Sequence, residues 1–284
     1  MDIINMSSKQ IVGNIVLDEY NRSGSIKIVN YFNKKMVLKR IDSDMHDVVI
    51  KKIEFLNCYK YLFPSNFVIP KFLVLLDNKD LYMAMDYVNG NNLGDVLKDK
   101  SINICDKKIY LSYIGNTLEE MKCMRANPLL SDFCLGDLHE DNFIVSNDKL
   151  YTIDLDDIKI DSISPVSSYL QVGTLFSYFH TDKYIVEEYN SYFVKYKVDY
   201  NTDMYCYIMV ILNFLYGDNV NNMNIKEFYC YLDYLDRLGI NGSLLECFNS
   251  ISSSDDNINP MNYIDSLTSN QIYRARKIVY KYNK

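Results

Sequence analysis

Several residue types and patterns are missing from this sequence, and each absence removes a class of protein. Tryptophan is absent from the 284 residues, and only three histidines occur. The seven cysteines form no C-x-x-C pair, and with so few histidines a Cys/His zinc site is excluded. Scattered cysteines fit free thiols in a reducing compartment, so we expect a cytoplasmic location.

A basic leader and a long hydrophobic run are also missing. The N-terminal "MDIINMSSKQ" lacks a basic region followed by an apolar core, so no signal peptide is predicted. The longest apolar run, at 205–217, is too short to cross a bilayer and indicates a buried helix. A net charge of -7 gives the chain no overall attraction for nucleic acid or for an anionic membrane. We therefore expect neither a nucleic-acid partner nor a membrane span.

The first part of the chain shows short strand patterns around a single helix. Stretches rich in β-branched residues predict strands at 11–17, 26–32, 35–41, 71–77 and 81–88. Between the third and fourth strands, 44–62 has the length and apolar content of a helix. Residues 1–88 are thus predicted to form a small antiparallel sheet of five strands with one helix, which makes the fold class α+β.

A stretch rich in asparagine and glycine, "NGNNLGDVL" at 89–97, separates this part from the remainder. Its glycines fit a hinge. Beyond it the chain is mostly helical, with helices predicted at 106–126, 202–216, 225–238, 243–250 and 269–282. No internal repeat or low-complexity linker occurs, so we divide the chain into two units, 1–88 and 89–284.

The stretch 135–157, "LGDLHEDNFIVSNDKLYTIDLDD", combines acidic residues with two apolar runs. An exposed acidic loop does not need the apolar runs, and a buried hairpin does not favour the acids. A strand pair with polar side chains at its ends accounts for both, and carboxylate and amide oxygens placed there can hold a metal ion. The candidates are Asp137, Asn142 and Asp154. The alternative is an acidic surface hairpin that binds nothing.

This motif resembles the catalytic and metal-binding segments of protein-kinase-like phosphotransferases. Asp137 stands where the H-R-D-x-x-x-x-N loop has its aspartate, Asn142 follows at the family's spacing, and Asp154 begins the counterpart of D-F-G. The resemblance implies a two-lobed kinase-like fold, with a sheet lobe and a mostly helical lobe, and ATP and Mg²⁺ as cofactors. It gives Asp137 the role of accepting or orienting the acceptor proton, and Asn142 and Asp154 that of holding the metal.

The same resemblance assigns a catalytic lysine that contacts the nucleotide. Lys39, in "MVLKRI" on the third predicted strand, matches the V-A-I-K lysine that contacts the α and β phosphates. Its carboxylate partner is then expected on the following helix, where Glu54 is the best candidate and Asp47 a weaker one. The alternatives are an outward-facing strand lysine and a solvated helix acid.

The remaining nucleotide contacts are assigned to a loop and a strand. The phosphate-covering loop corresponds to "DEYNRSGS", which has one glycine where the family has three, and whose backbone N–H groups can approach phosphates. The three donors are those of Ser23, Gly24 and Ser25. In "MAMDYV", Met85 is expected at the back of the adenine pocket, and the backbone from Asp86 to Val88 beside the base edge. The alternatives are an ordinary hairpin turn and plain packing.

The acceptor is predicted first as a serine or threonine hydroxyl of a protein substrate. Asp203 resembles the aspartate that anchors the catalytic loop of protein kinases, although a helix N-cap role is equally open. The form "GDLH", with Gly136 in place of arginine and His139 in place of lysine, is more like the aminoglycoside and choline kinase branch. A kinase of a small hydroxylated compound is therefore the alternative. A third is a nucleotide-binding pseudokinase that acts through a partner.

Overall fold

The fold combines a β-sheet with helices, and the predicted α+β class is confirmed. The computed structural model describes residues 3–14, 26–160, 163, 169–172, 185–188, 191–195, 198–240 and 264–277. None of the helices in these ranges combines the length and the hydropathy that a membrane span needs.

A six-stranded sheet forms within the first 86 residues. Its strands are β1 (Ile3–Met6), β2 (Ile11–Asn14), β3 (Ile26–Tyr31), β4 (Lys34–Arg40), β5 (Phe72–Leu76) and β6 (Asp80–Asp86). They lie in the order β1-β5-β6-β4-β3-β2. The pair of β1 and β5 is parallel, and the other pairs are antiparallel.

The expectation of a five-stranded, purely antiparallel sheet is wrong, because β1 adds a sixth strand and a parallel pair. β1 has four residues, of which Met6 alone is buried, so its sequence carries little of the alternation that identifies a strand. The turn after β5 holds the end of β1 in place. There the carboxylate of Asp77 accepts the N–H of Ser8 at 2.9 Å.

Helix α1 (His46–Cys58) packs on one face of this sheet and presents a buried stripe at helical spacing. The buried residues of the stripe are Val49, Lys52, Ile53 and Leu56. Side chains of β4 alternate between the two faces, since Met36 and Leu38 pack in one cluster and Val37 in the cluster with α1. Lys39 follows Val37 by two residues, so it lies on the face that carries α1.

The later part of the chain builds most of the largest apolar core. Within the described residues its helices are α2 (Leu93–Lys98), α3 (Ile104–Met124), α4 (Tyr200–Tyr216), α5 (Ile225–Arg237) and α6 (Ser269–Lys277). α4 is buried on all sides, begins at a capping box of Asp199 and ends at Gly217 in the left-handed region. The predicted helices at 106–126, 202–216 and 225–238 are confirmed with small shifts at their ends. The prediction for 243–250 lies outside the described residues, as does the last part of the helix at 269–282.

Two three-stranded sheets accompany these helices. One contains β7 (Asn91–Asn92), β8 (Phe143–Ser146) and β9 (Lys149–Thr152), and the other contains β10 (Tyr169–Val172), β11 (Ile185–Glu188) and β12 (Ser191–Lys195). Around β7 the chain packs closely. A Cβ atom on Gly90 would lie 2.2 Å from the Val145 carbonyl oxygen, and one on Gly94 would lie 2.3 Å from a carboxylate oxygen of Asp141. Close packing against the Val145 main chain therefore accounts for Gly90, whereas the atoms nearest to Gly94 belong to side chains that can move.

Candidate active site

The strand pair predicted within 135–157 is confirmed as a hairpin, and it brings the two ends of the acidic motif together. β8 and β9 pair antiparallel over their full length. The turn residues Asn147 and Asp148 have φ values of 49° and 57°, a left-handed conformation that these two residue types tolerate well. Beyond the last pair, the N–H of Ile153 donates to the carbonyl of Asn142 at 2.9 Å. Asn142 therefore lies beside the position that precedes Asp154.

Lys39 of β4 reaches the acids that follow this hairpin. Its ammonium forms an ion pair with a carboxylate oxygen of Asp154 and lies 2.8 and 3.0 Å from the two carboxylate oxygens of Asp156. All three side chains are partly buried. These contacts exclude the alternative of an outward-facing strand lysine, and they join the sheet to a segment 115 residues away in sequence.

The cluster sets two carboxylates against one ammonium, and its protonation reflects the excess of negative charge. Burial and the neighbouring Asp156 carboxylate raise the pKa of Asp154 to about 8, against the effect of Lys39. Burial also disfavours the Asp156 carboxylate, but the Lys39 ammonium outweighs it and holds the pKa of Asp156 below its usual range. The two carboxylates likewise raise the pKa of Lys39 in spite of its burial. Two carboxylates share one ammonium, so the cluster has an excess of negative charge that a bound cation can offset.

Asp154 adopts a left-handed backbone conformation, with φ 62°. Such a conformation costs an L-residue about 1–2 kcal/mol, and aspartate is among the residues that adopt it most readily. The turn lets Leu155 enter the core, where 2% of its surface is exposed, while the acids on both sides of it contact Lys39. Asp156, which we did not assign to the site from sequence, joins it through this turn.

Lys52 of α1 is a second residue that sequence reasoning missed. Its side chain has 1% of its surface exposed, and its ammonium donates to the carbonyl oxygen of Asp156. Burial lowers the pKa of Lys52 to about 8, against the raising effect of the Asp157 and Asp156 charges. A signal for it existed, because Lys52 lies three residues after the buried Val49 on the apolar stripe of α1.

The expected contact between Lys39 and Glu54 is corrected by the structure. Glu54 occupies an exposed position on α1, and so does Asp47. Two residues apart on an α-helix are separated by about 200° around its axis, so a helix that buries Lys52 against Asp156 turns Glu54 away. The acids that the structure places against Lys39 come after the hairpin instead. The apolar neighbours of Glu54 in sequence do not share its face of the helix.

The loop that carries Asp137 is held by side chains within it. Asn142 is buried and donates its Nδ2 to the carbonyl of Asp137 at 2.7 Å, a bond that does not use its amide oxygen. His139 accepts the N–H of Asp141 at Nδ1 and places Nε2 3.6 Å from the Asp137 carboxylate. Because Nδ1 is an acceptor, the neutral ring carries its proton on Nε2, which faces Asp137. Burial disfavours the imidazolium, but the Asp137 carboxylate and its acidic neighbours raise the pKa of His139.

Asp203 of α4 anchors the loop that carries Asp137 through the two residues before that aspartate. Its side chain is fully buried, and its carboxylate oxygens accept the N–H of Leu135 at 2.6 Å and that of Gly136 at 3.0 Å. Burial raises the pKa of Asp203 to about 7, against the effect of these two bonds. The N-cap of α4 is Asp199, so the loop-anchoring prediction for Asp203 is the one that is confirmed.

Apolar side chains from the sheet and from the hairpin meet beside the acids. Met85 is buried there, and Val37 of β4 and Val88, just after β6, pack with the same cluster as Tyr151 of β9 and the following Ile153. These side chains form one buried cluster, and it adjoins the acids because Asp154 directly follows Ile153. The place of Met85 at the back of an adenine pocket stays a prediction.

The segment from Asp86 to Val88, expected beside the base edge, has one of its backbone N–H groups already in a hydrogen bond within the protein. The carboxylate of Asp86 is exposed and pairs with Lys71 at 2.6 Å. The N–H of Tyr87 donates to the carbonyl of Lys35 at 3.3 Å, so this donor is used within the sheet. The predicted phosphate-loop residues, Ser23, Gly24 and Ser25, lie outside the described residues.

The polar groups suit a metal that is shared with a ligand. Within the described ranges, no three histidine, cysteine, aspartate or glutamate side chains are arranged to hold a metal ion by themselves. Mg²⁺ does not need such a cage, because it keeps several waters and takes phosphate oxygens when it binds with a nucleotide. The Asp154 carboxylate and the Asn142 amide oxygen are the two ligands that the chain would supply.

Comparison with protein families and with curated proteins gives no guide to function. No protein-family model matches the chain, and no curated protein matches it. A functional conclusion therefore depends on the geometry of the site.

Proposed function

We propose that the chain is an ATP- and Mg²⁺-dependent phosphotransferase with a two-lobed, protein-kinase-like fold, divided between residues 88 and 89. The observation that carries the proposal is the meeting of Lys39 with Asp154 and Asp156, next to the loop that holds Asp137 and Asn142. These groups come from distant segments of the chain. Partial burial of charged groups costs free energy, so an acidic surface hairpin without a ligand would not collect them.

The residues present fit a magnesium nucleotide. When bound, MgATP supplies the phosphoryl group for transfer and a cation that offsets the excess carboxylate charge. The Asp154 carboxylate and the Asn142 amide oxygen would hold the cation, and the Lys39 ammonium would bind phosphate oxygens. The apolar cluster around Met85 would take the adenine ring.

Asp137 is the residue that would receive the proton of the acceptor hydroxyl. Its carboxylate is 45% exposed, so an acceptor can reach it, and the bond from Asn142 to its carbonyl fixes its backbone. We propose a serine or threonine hydroxyl of a protein as the acceptor, and the anchoring of the loop by Asp203 supports this choice. The "GDLH" form, with His139, supports a small hydroxylated compound as the second candidate.

Transfer of labelled γ-phosphate from ATP tests the proposal. Wild-type protein is incubated with Mg²⁺, ATP and a cell extract, and the products are separated into protein and low-mass fractions. The matched variants are Asp137→Asn and Asp148→Asn, the latter at the hairpin turn, where asparagine tolerates the left-handed backbone. We expect label on protein that disappears in Asp137→Asn and persists in Asp148→Asn.

The other outcomes separate the alternatives. Label that enters only the low-mass fraction and depends on Asp137 indicates a small-molecule kinase. ATP binding without any transfer indicates a pseudokinase. A protein that neither binds MgATP nor transfers phosphate contradicts the proposal.

A further inference from the structure

The two acids that contact Lys39 differ in how they hold it. Asp156 contacts the ammonium with both carboxylate oxygens, and 13% of its side chain is exposed. Asp154 contacts it with one oxygen, and 30% of its side chain is exposed. Asp156 therefore offers two charge-assisted hydrogen bonds to the ammonium, whereas Asp154 offers one. Asp156 is therefore the better positioned of the two to hold Lys39.

Asp156 is itself held from behind by α1. The buried Lys52 ammonium donates to its main-chain carbonyl. Lys52 is fixed by its place in the apolar stripe between Val49 and Ile53, both of which are buried. The position of α1 on the sheet thus fixes the Lys52 ammonium, and this ammonium in turn holds the backbone of Asp156, which contacts Lys39.

We propose that Asp156, held by Lys52, is the residue that positions Lys39 for nucleotide phosphate, in the role expected of Glu54. The positioning role depends on the proposed function, since phosphate is what Lys39 would bind, but the structural link does not. In this arrangement α1 provides the Lys52 ammonium to the main chain of Asp156. It does not provide a Glu54 carboxylate to Lys39. Asp154 could then bind the metal, because Lys39 would still have Asp156 as its carboxylate partner.

A double-mutant cycle on thermal stability tests the contact between Asp156 and Lys39. One cycle combines Lys39→Met with Asp156→Asn, and the matched cycle combines Lys39→Met with Glu54→Gln. We expect the melting-temperature shifts to be non-additive in the first cycle and additive in the second, because only residues in contact couple. Additive shifts for Asp156, or coupling for Glu54, would overturn the inference.

Hydrogen exchange of the peptide covering 153–160 tests the link from Lys52. Lys52→Met removes the donor to Asp156, whereas Lys51→Met changes the exposed neighbour on the same helix. We expect faster exchange in Lys52→Met and the wild-type rate in Lys51→Met. If Lys52→Met does not fold, Lys52→Gln keeps a shortened donor and is expected to show a smaller increase. Wild-type exchange in every folded Lys52 variant would refute the link.

Steady-state kinetics then separate positioning from simple structural support. We expect Lys52→Met to lower kcat for phosphate transfer. The melting temperatures of Lys52→Met and Lys51→Met are measured beside the kinetics, so that a fall in kcat can be compared with any loss of stability. A fall in kcat that Lys52→Gln partly restores supports positioning, and an unchanged kcat in folded Lys52→Met contradicts it. If the wild type transfers no phosphate, the proposed function fails, while the cycle and the exchange data still decide whether Asp156 and Lys52 hold Lys39.

Discussion

Replacement of Gly136 by alanine tests whether the backbone before Asp137 is as tightly constrained as the structure indicates. Gly136 has φ 81°, and a Cβ atom there would lie 2.5 Å from the main-chain carbonyl oxygen of Asp157. Real Cβ atoms do not approach main-chain oxygens so closely, so one of the two segments must move. The segments concerned carry the candidate catalytic aspartate and the acids that contact Lys39.

The expected cost has two parts that a control variant separates. Left-handed backbone costs alanine about 1–2 kcal/mol relative to glycine. Forcing a methyl group into a packed contact adds about 1–3 kcal/mol. Gly217 has a similar φ of 87°, but the nearest atom to its Cβ would be a side-chain carbon of Arg276 at 3.9 Å. Gly217→Ala therefore carries the backbone cost alone.

Denaturant unfolding of the two variants measures the difference. We expect the free energy of unfolding to fall by about 2–5 kcal/mol in Gly136→Ala and by about 1–2 kcal/mol in Gly217→Ala, with unchanged m values. The proposed transferase activity should fall further in Gly136→Ala than its loss of folded protein explains, because Asp137 is displaced. Equal destabilisation by the two variants would refute the close approach of Gly136 to the Asp157 carbonyl.

Two further predictions concern the charged groups of the site. His139→Asn keeps an acceptor for the N–H of Asp141 but loses the group that faces Asp137, so we expect kcat to fall about tenfold with an unchanged melting temperature. His139→Gln can extend an amide toward Asp137 and should retain more activity. The opposite ranking of the two variants would contradict the contact between His139 and Asp137. Because burial and the Asp156 carboxylate raise the pKa of Asp154 to about 8, Mg²⁺ must displace a proton there below that pH. Mg²⁺-dependent ATP binding, measured by calorimetry, should therefore tighten by up to about tenfold per unit as the pH rises from about 6 to 8, and Asp156→Asn should move this rise to lower pH. An affinity independent of pH would exclude Asp154 as the titrating ligand.

The elements that sequence predicts well are those whose residues repeat at one clear period. β3 to β6 alternate and are separated by turn residues, and α4 is an unbroken apolar run that ends at Gly217. The hairpin after Asn142 was predictable because "ND" between two apolar runs is a turn signal. The candidates Asp137, Asn142 and Asp154 could be proposed from sequence because they flank that hairpin or begin it.

The parts that sequence missed depend on information that a single pattern does not carry. Lys52 lies at helical spacing from Val49, but apolar residues also occur on other sides of α1, so this signal was too weak to identify Lys52 as the residue that faces the acids. Asp154 and Asp156 are equivalent in sequence, and the left-handed turn at Asp154 determines that both reach Lys39. β1 is too short to show an alternation, and its partner is a strand far along the chain.

The segment between α1 and β5 has a consequence for any attempt to work with part of the chain. Phe63 and Phe67 belong to the large core of the later helices, and the ring of Phe63 lies 5.5 Å from that of Phe133. The main chain on either side of Phe67 also exchanges hydrogen bonds of 2.9 and 3.0 Å with Thr152. A fragment that begins at Asn89 would lack these two rings and leave the backbone of Thr152 unpaired. We expect such a fragment to aggregate when expressed alone, because the change in sequence character at residue 89 does not mark a boundary at which the chain can be cut.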